Sequence, residues 1–130
     1  RSRTMLRSIF SGGAQEAADE EQLGQQDQSF VTRLRDIIKN NLSDSDFSIE
    51  RLGEEIGLSR VQLYRKVKAL TGQTPVELLR KARLVKARRM LEHTDKAVSE
   101  IAYEVGFTSP SYFNKCFKDE FGVSPGALRE

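Results

Sequence analysis

Tryptophan is absent from this chain, and cysteine and histidine occur once each, as Cys116 and His93. A lone cysteine excludes an internal disulfide and fits a reducing compartment. One histidine and one cysteine 23 residues apart on an ordinary helical pattern do not make a catalytic pair. No metal-ligand spacing, glycine-rich phosphate loop or nucleophile elbow occurs either. An enzyme is therefore not expected, and neither is a metal or cofactor. Only three prolines are present and no convincing strand pattern is found, so the expected fold is all-α. No apolar run approaches the roughly 20 residues that span a bilayer. The MLRSIF segment near the start is too short for a signal-peptide core. With 38% apolar and 31% charged residues, 130 residues can fill a small helical core but not a deep catalytic cleft. The chain opens on Arg1 rather than methionine, and it is expected to be a piece of a longer protein.

Acid is scarce in one place. Residues 60–89 carry ten basic side chains against Glu77 alone, a net +9, although the whole chain is only +2. Residues 1–30 sum to −2 and residues 31–130 to +4. A concentrated basic stretch is an electrostatic footprint for phosphate. By itself a charge run is more often a solvated helix face.

The same stretch belongs to a repeat, which reverses that preference. SIERLGEEIGLSRVQLYRKVKALTGQTP (48–75) is answered by AVSEIAYEVGFTSPSYFNKCFKDEFGVSP (97–125). Leu52, Gly53, Ile56, Gly57 and Leu58 match Ile101, Ala102, Val105, Gly106 and Phe107 at an offset of 49. From Leu63/Phe113 through Val67/Phe117 and Gly72/Gly122 to Pro75/Pro125 the offset is 50, so the second turn is one residue longer. Each copy reads as a helix-turn-helix. Two copies in one small domain suit a long, regular ligand gripped at two evenly spaced places, and duplex DNA is such a ligand.

The local signals divide the chain as follows. Residues 1–29, rich in Gly, Gln, Ala and acids from Ser11 on, read as a linker or tail. Residues 30–130 read as the domain. Its first helix is expected from Phe30, capped by Ser29, to about Asn41, with Phe30, Leu34, Ile37 and Ile38 on one face. A helix from Ile49 to Ile56 follows, capped by Ser48 and ended by Gly57. Ser59 then caps a helix from Arg60 to about Leu70, which completes the first helix-turn-helix at about 48–73. Gly53 is small where the two helices must cross closely. Thr74-Pro75-Val76-Glu77 joins a cap, a first-turn proline and a capping-box glutamate. It starts a linker helix of residues 75–92 whose apolar stripe is Leu84, Ala87 and Leu91, widened by Leu79 and Met90. Eighteen residues give roughly 27 Å. The second helix-turn-helix spans about 97–123, with a helix near Val98–Val105 and another from Pro110, behind Ser109, to Phe121. Ser124-Pro125 begins a seventh helix.

In a helix-turn-helix the second helix enters the major groove, and only it needs side chains that read base edges. The first such helix offers Arg60, Gln62, Tyr64, Arg65 and Lys68 outward, with Leu63, Val67 and Leu70 inward. The second offers Ser111, Tyr112, Asn114, Lys115 and Lys118, with Phe113, Phe117 and Phe121 inward. Arginine can bond two acceptors on guanine, while glutamine and asparagine suit adenine, which makes Gln62 and Asn114 candidates. Lys115 and Lys118 are offset by Asp119 and Glu120, so the first copy is expected to supply more affinity. Two grooves on one face of DNA lie roughly 34–36 Å apart, of the order that the linker helix plus the motifs' width can bridge. A monomer of this fragment is expected to suffice, because tethering raises the effective concentration of the second unit.

At residues 30–129 the chain resembles the DNA-binding domain of AraC/XylS-type bacterial transcription regulators. The second copy, IAYEVGFTSPSYFNKCFKDEFGVSP, carries the family's IA…GF…S…YF…FK…G.SP pattern. The resemblance implies two helix-turn-helix units joined by a long helix, in adjacent major grooves, usually activating transcription. By position it implies base or phosphate contacts from Arg60, Val61, Gln62, Tyr64 and Arg65, and from Pro110, Ser111, Asn114 and Lys115; Ser109 and Tyr112 are counted with them. Val61 stands where a larger contacting side chain often occurs. The stretch DSDFSIERLGEEIGLSRVQLYRKVKALTGQTP also resembles the output domain of hybrid two-component sensors, in which a receiver precedes the DNA-binding domain. The implied partners are double-stranded DNA and RNA polymerase, and the implied setting is the bacterial cytoplasm and nucleoid. The fragment itself makes no membrane contact, while the intact protein could dimerise, or be membrane-anchored if it is a hybrid sensor.

Other residues have plainer readings. Phe107, Phe113, Phe117 and Phe121 are expected in the core. Arg83 stands open between an internal salt bridge and a phosphate contact. Arg80, Lys81, Lys86, Arg88 and Arg89 suit a solvated or phosphate-near face. His93 and the acids Glu54, Glu55 and Glu104 are expected at the surface, and Cys116 as an idle thiol. The competing function class is a helical module whose basic face binds an acidic protein.

Overall fold

Glutamine is a good helix former, and nothing between Gly24 and Phe30 breaks a helix. In the computed structural model, which describes residues 24–129, the first helix (α1) accordingly spans Gln25–Asn40 rather than starting at Phe30. Gly24 is its N-cap, with no side-chain bond, and Asp27 in the first turn complements the helix dipole. Ser29 is thus inside the helix, and residues 25–29 leave the expected linker; residues 1–23 lie outside the described part. The buried stripe is Phe30, Val31, Leu34 and Ile38, with Ile37 half-buried.

Six more helices follow: α2 (Ile49–Ile56), α3 (Arg60–Thr71), α4 (Pro75–His93), α5 (Val98–Glu104), α6 (Pro110–Phe121) and α7 (Pro125–Arg129). The described residues contain no strand, and the all-α expectation holds. The caps sit where the sequence put them. The Ser48, Ser59, Thr74 and Ser109 side chains accept from the backbone N–H of Arg51, Gln62, Glu77 and Tyr112. Gly57, Gly72 and Gly122 end their helices in the left-handed region. Gly53 is small for a slightly different reason than expected. A Cβ there would stand 2.8 Å from the Leu58 carbonyl oxygen, so the tight approach is to the turn rather than to the crossing helix.

The core is two clusters, not one. Phe30, Val31, Leu34, Ile38, Leu42, Phe47, Leu52, Ile56, Leu63 and Val67 fill the first. Ile101, Ala102, Val105, Phe107, Phe113 and Phe117 fill the second. Phe107 meets Phe113 edge-on at 5.2 Å between centroids, and Phe117 meets Phe121 at 4.7 Å. Phe121 is only half-buried at the rim.

Helix α4 serves both clusters. Leu78, Leu79 and Ala82 enter the first, while Leu84, Ala87 and Leu91 enter the second. At 3.6 residues per turn the two triplets centre roughly 170° apart around the helix. The single stripe expected from the sequence is therefore two short stripes on opposite faces, and Leu79 belongs to the other one. At its far end α4 is closed by Arg129. The guanidinium donates to the carbonyls of Leu91 (3.3 Å), Thr94 (2.7 Å) and Lys96, tying α7 to the last turn.

Two stability outcomes follow. Phe117→Ala should cost ~3–5 kcal/mol in a denaturant titration and Phe121→Ala clearly less, because only the first is fully enclosed. The Glu77 carboxylate accepts the Thr74 N–H at 2.8 Å, and that bond holds its pKa below the ordinary 4.5. A depressed carboxylate contributes stability that is complete above its unfolded value and lost as pH falls through the folded one. Acidification from about pH 5 to pH 3 should therefore lower the urea midpoint, and Glu77→Gln should flatten that part of the slope.

Candidate nucleic-acid interface

Helical periodicity sorts α3 cleanly. Leu63 and Val67 are fully buried, which turns Arg60, Val61, Gln62, Tyr64 and Arg65 outward. Lys68, nearer the helix end, is half-buried. In α6, Phe113 and Phe117 are buried, and Ser111, Tyr112, Asn114, Lys115 and Lys118 are exposed. Ser109 and Pro110 are half-buried at the start of that helix. Tyr64 and Tyr112 are each 49% exposed, on the outward faces of α3 and α6. The Tyr112 ring leans on Phe107, with centroids 6.0 Å apart, so its tip is held outward.

Several of these side chains are already engaged. Gln62 was expected to pair with adenine, but its Oε1 accepts the Ser59 N–H at 3.0 Å in a capping box. Pairing with adenine uses both the amide oxygen and nitrogen. Gln62 can therefore donate outward as it stands, but can pair in two-point fashion only by opening the box. The S-x-x-Q spacing is itself a capping-box signature, so the sequence held this signal. Arg60, a cation at the unfavourable positive end of α3, is neutralised by Glu50 at 2.8 Å. Lys115 lies 3.5 Å from Asp119 one turn on. Both pairs are highly exposed, and such pairs are worth about 0–1 kcal/mol, little enough for a phosphate to displace.

The basic stretch 60–89 resolves into two groups. Lys66 sits over the Phe30 ring at 4.5 Å, and Arg88 over Phe121 at 5.0 Å. Lys81 pairs with Glu120 at 3.8 Å, and Lys86 reaches the Ser43 hydroxyl at 3.5 Å. Arg65, Lys68, Arg80 and Arg89 have no ion-pair partner among the described residues, and of these Arg65 stands on the outward face of α3. Lys118 is likewise without an ion-pair partner there.

Arg83 corrects both readings offered for it. It makes neither a salt bridge nor an outward contact. Its Nη2 donates to the Asp44 carbonyl at 2.9 Å and its Nη1 to the Gly106 carbonyl at 3.2 Å. Burial pushes this guanidinium down from its ordinary value, and the nearby Asp44 carboxylate opposes the shift. The Asp44 carboxylate also accepts the Asp46 N–H and pairs with Arg51, at 2.9 Å each, which holds its own pKa low. His93 is exposed, and Cys116 half-buried against the second core. Glu54 and Glu55 are exposed, while Glu104 is half-exposed and pairs with Lys96 at 2.8 Å.

Known proteins share this arrangement. A family model described as a helix-turn-helix domain matches residues 52–130. "Histidine kinase P4" of Formosa agariphila is 33% identical over 123 residues, 95% of this chain but 9% of that protein. The "HTH-type transcriptional activator RhaS" of Mannheimia succiniciproducens is 38% identical over 92 residues, 71% of this chain and 34% of the relative. The chain thus spans about a third or less of these curated relatives. Among solved structures, the DNA-binding domain of AdpA, described as a global transcriptional factor in complex with a target DNA, superposes with a TM-score of 0.70 at 31% identity. That match covers 77% of this chain and 88% of the other.

Proposed function

Since the chain belongs to the AraC-type helix-turn-helix family of DNA-binding transcription regulators, we propose that α3 and α6 enter adjacent major grooves of one duplex. The observation that carries this reading is the duplicated reading helix. Each copy has a serine cap, a buried apolar face and an outward row of polar and aromatic side chains, and one helix joins the two units. That helix rises about 28 Å over its 19 residues, and the motifs it joins add width toward the roughly 34–36 Å repeat of the groove.

Individual roles follow from what is free. Arg65 is the outward cation of α3 without an ion-pair partner among the described residues, and it takes a guanine edge or a phosphate. Arg60 exchanges Glu50 for a phosphate. Asn114 reads adenine, while Tyr64 and Tyr112 supply apolar contact to base or sugar. Val61 faces thymine methyls. The Lys68 and Lys118 ammonium groups, with Lys115 once released from Asp119, neutralise backbone phosphates, and the Ser109 hydroxyl and the Ser111 backbone N–H, on either side of Pro110, face the same strand. The first unit supplies more of the affinity, because the cations of the second are offset by Asp119 and Glu120. RNA polymerase is the further partner through which a bound activator acts. The kinase and activator names of the relatives support control by a receiver or sensor domain elsewhere in the intact protein, working in the cytoplasm.

A site selected from random duplex DNA should contain two major-groove segments one turn apart, without a palindrome. Against that site Arg65→Ala should cost ~1–3 kcal/mol and relax preference at one base pair. A loss equal on all sequences makes Arg65 a backbone contact, and a larger specific loss for Lys115→Ala overturns the ranking of the two units. With six or so phosphates neutralised, the slope of log K against log salt should be about −5. A shallow slope without sequence preference points instead to an acidic protein partner.

A further inference from the structure

The two cores do not merge, so the apolar stripes of α4 set only the coarse rotation between the units and leave the final angle to be fixed by something else. The structure assigns that task to Arg83 acting with Gly106: they form a polar clasp that locks α3 and α6 into one register, making them positioning residues for the spacing of the two half-sites. This inference rests on the two-groove reading above.

Arg83 lies on α4 between the residues that feed the first core and those that feed the second. From there its fork reaches both units, through the Asp44 carbonyl in the α1–α2 loop and the Gly106 carbonyl in the turn before α6. A planar guanidinium with donors fixed in a fork holds two carbonyls at a set separation, which a single ammonium cannot do. Gly106 is pressed into the same place. A Cβ on it would stand 2.5 Å from the Leu42 carbonyl oxygen and 2.9 Å from the Arg83 guanidinium carbon. Leu42 and Asp44 belong to the first unit, so the turn of the second unit is in backbone contact with the first. Lys86, one helical turn beyond Arg83, adds a 3.5 Å contact to Ser43 of the same loop.

The repeat supplies an internal control. Gly57 holds the equivalent turn position in the first unit, with φ 84° against 98° at Gly106, yet nothing lies within 4 Å of a Cβ placed on it. Both glycines answer the demand for positive φ, but only Gly106 also makes room for a neighbour. The extra demand at Gly106 is the inter-unit contact and not the turn itself.

The test uses the full chain and duplexes in which the two selected half-sites are moved apart or together by one base pair, alongside a single half-site. The natural protein should prefer its own spacing, near one turn of about 10–10.5 base pairs, by about tenfold over its neighbours. Arg83→Met should bind the single half-site within about twofold of the natural protein, while its preference among spacings falls to about threefold or less. Arg83→Lys should restore the preference only in part, and Gly57→Ala, which strains the same φ without the contact, should keep it. Full spacing discrimination in Arg83→Met overturns the inference. Equal loss on the half-site and on every spacing also overturns it, since that is plain unfolding. A second readout needs no DNA. Residual dipolar couplings from the two units should fit one alignment tensor in the natural protein and require two in Arg83→Met. A single tensor in both proteins overturns the clasp whatever the binding result. Two tensors in a variant whose natural parent binds no duplex uphold the clasp and reject the two-groove reading instead.

Discussion

One helix must satisfy two hydrophobic cores that face nearly opposite ways. Helix α4 gives Leu78, Leu79 and Ala82 to one unit and Leu84, Ala87 and Leu91 to the other. Because side chains advance by about 100° per residue, the rotation between the units is written into the spacing of these triplets. A one-residue insertion between Ala82 and Leu84 would swing one core by that angle, and a three- or four-residue insertion would nearly restore it while lengthening the spacer. Rigid spacing comes from the helix itself, and coarse azimuth from the apolar pattern on it, which leaves the final angle to the proposed Arg83 clasp. The capping box at Thr74 and the Arg129 clamp at the other end secure both termini of this shared element.

Affinity for a polyanion then depends on cations that the fold leaves uncommitted. Most of the net positive stretch is spent within the molecule, over rings, against carboxylates or on carbonyls. Those commitments are of unequal weight. Exposed pairs such as Arg60 with Glu50 and Lys115 with Asp119 can be exchanged for phosphate at little cost. The half-buried Arg83 cannot be exchanged so cheaply, because withdrawing it removes the donor to the Gly106 carbonyl and leaves the Asp44 carbonyl with the Phe47 N–H alone. The sequence count of charge in residues 60–89 thus overstates the binding surface and understates the structural use of arginine.

Much of this was legible beforehand because caps and turns are local. Serine, proline and glycine at fixed offsets marked the ends of α2, α3, α4 and α6 to within about a residue, and the repeat marked which helices are equivalent. Three features were hidden for distinct physical reasons. The glutamines at the start of α1 form helix readily but also suit a linker, so composition placed the boundary at Phe30 instead of Gln25. Two opposed apolar stripes cancel in any search for a single face, which concealed the division of α4. Arg83 and Arg129 bond to backbone carbonyls, and a carbonyl carries no mark of its residue type, so no pattern of side chains announces these contacts. Gln62 differs, since its capping-box spacing stood in the sequence and the appeal of glutamine as a base reader masked it.

The repeat also separates what a turn requires from what the assembly requires. Gly57 and Gly106 occupy equivalent places, yet the space behind Gly57 is open while that behind Gly106 is filled, as it also is at Gly53. At Gly53 the missing Cβ admits the Leu58 carbonyl of its own turn; at Gly106 it admits a carbonyl from the other unit. A duplicated motif begins with both copies facing the same demands. Once one copy's turn becomes the docking point for its twin, its glycine is held twice over, by φ and by contact, while the other is held by φ alone. The first unit therefore keeps an open turn beside its reading helix, and the second has its turn fixed from behind. Such a division suits the proposed reading, in which the first unit carries most of the charge-driven grip and the second is held at a set distance from it.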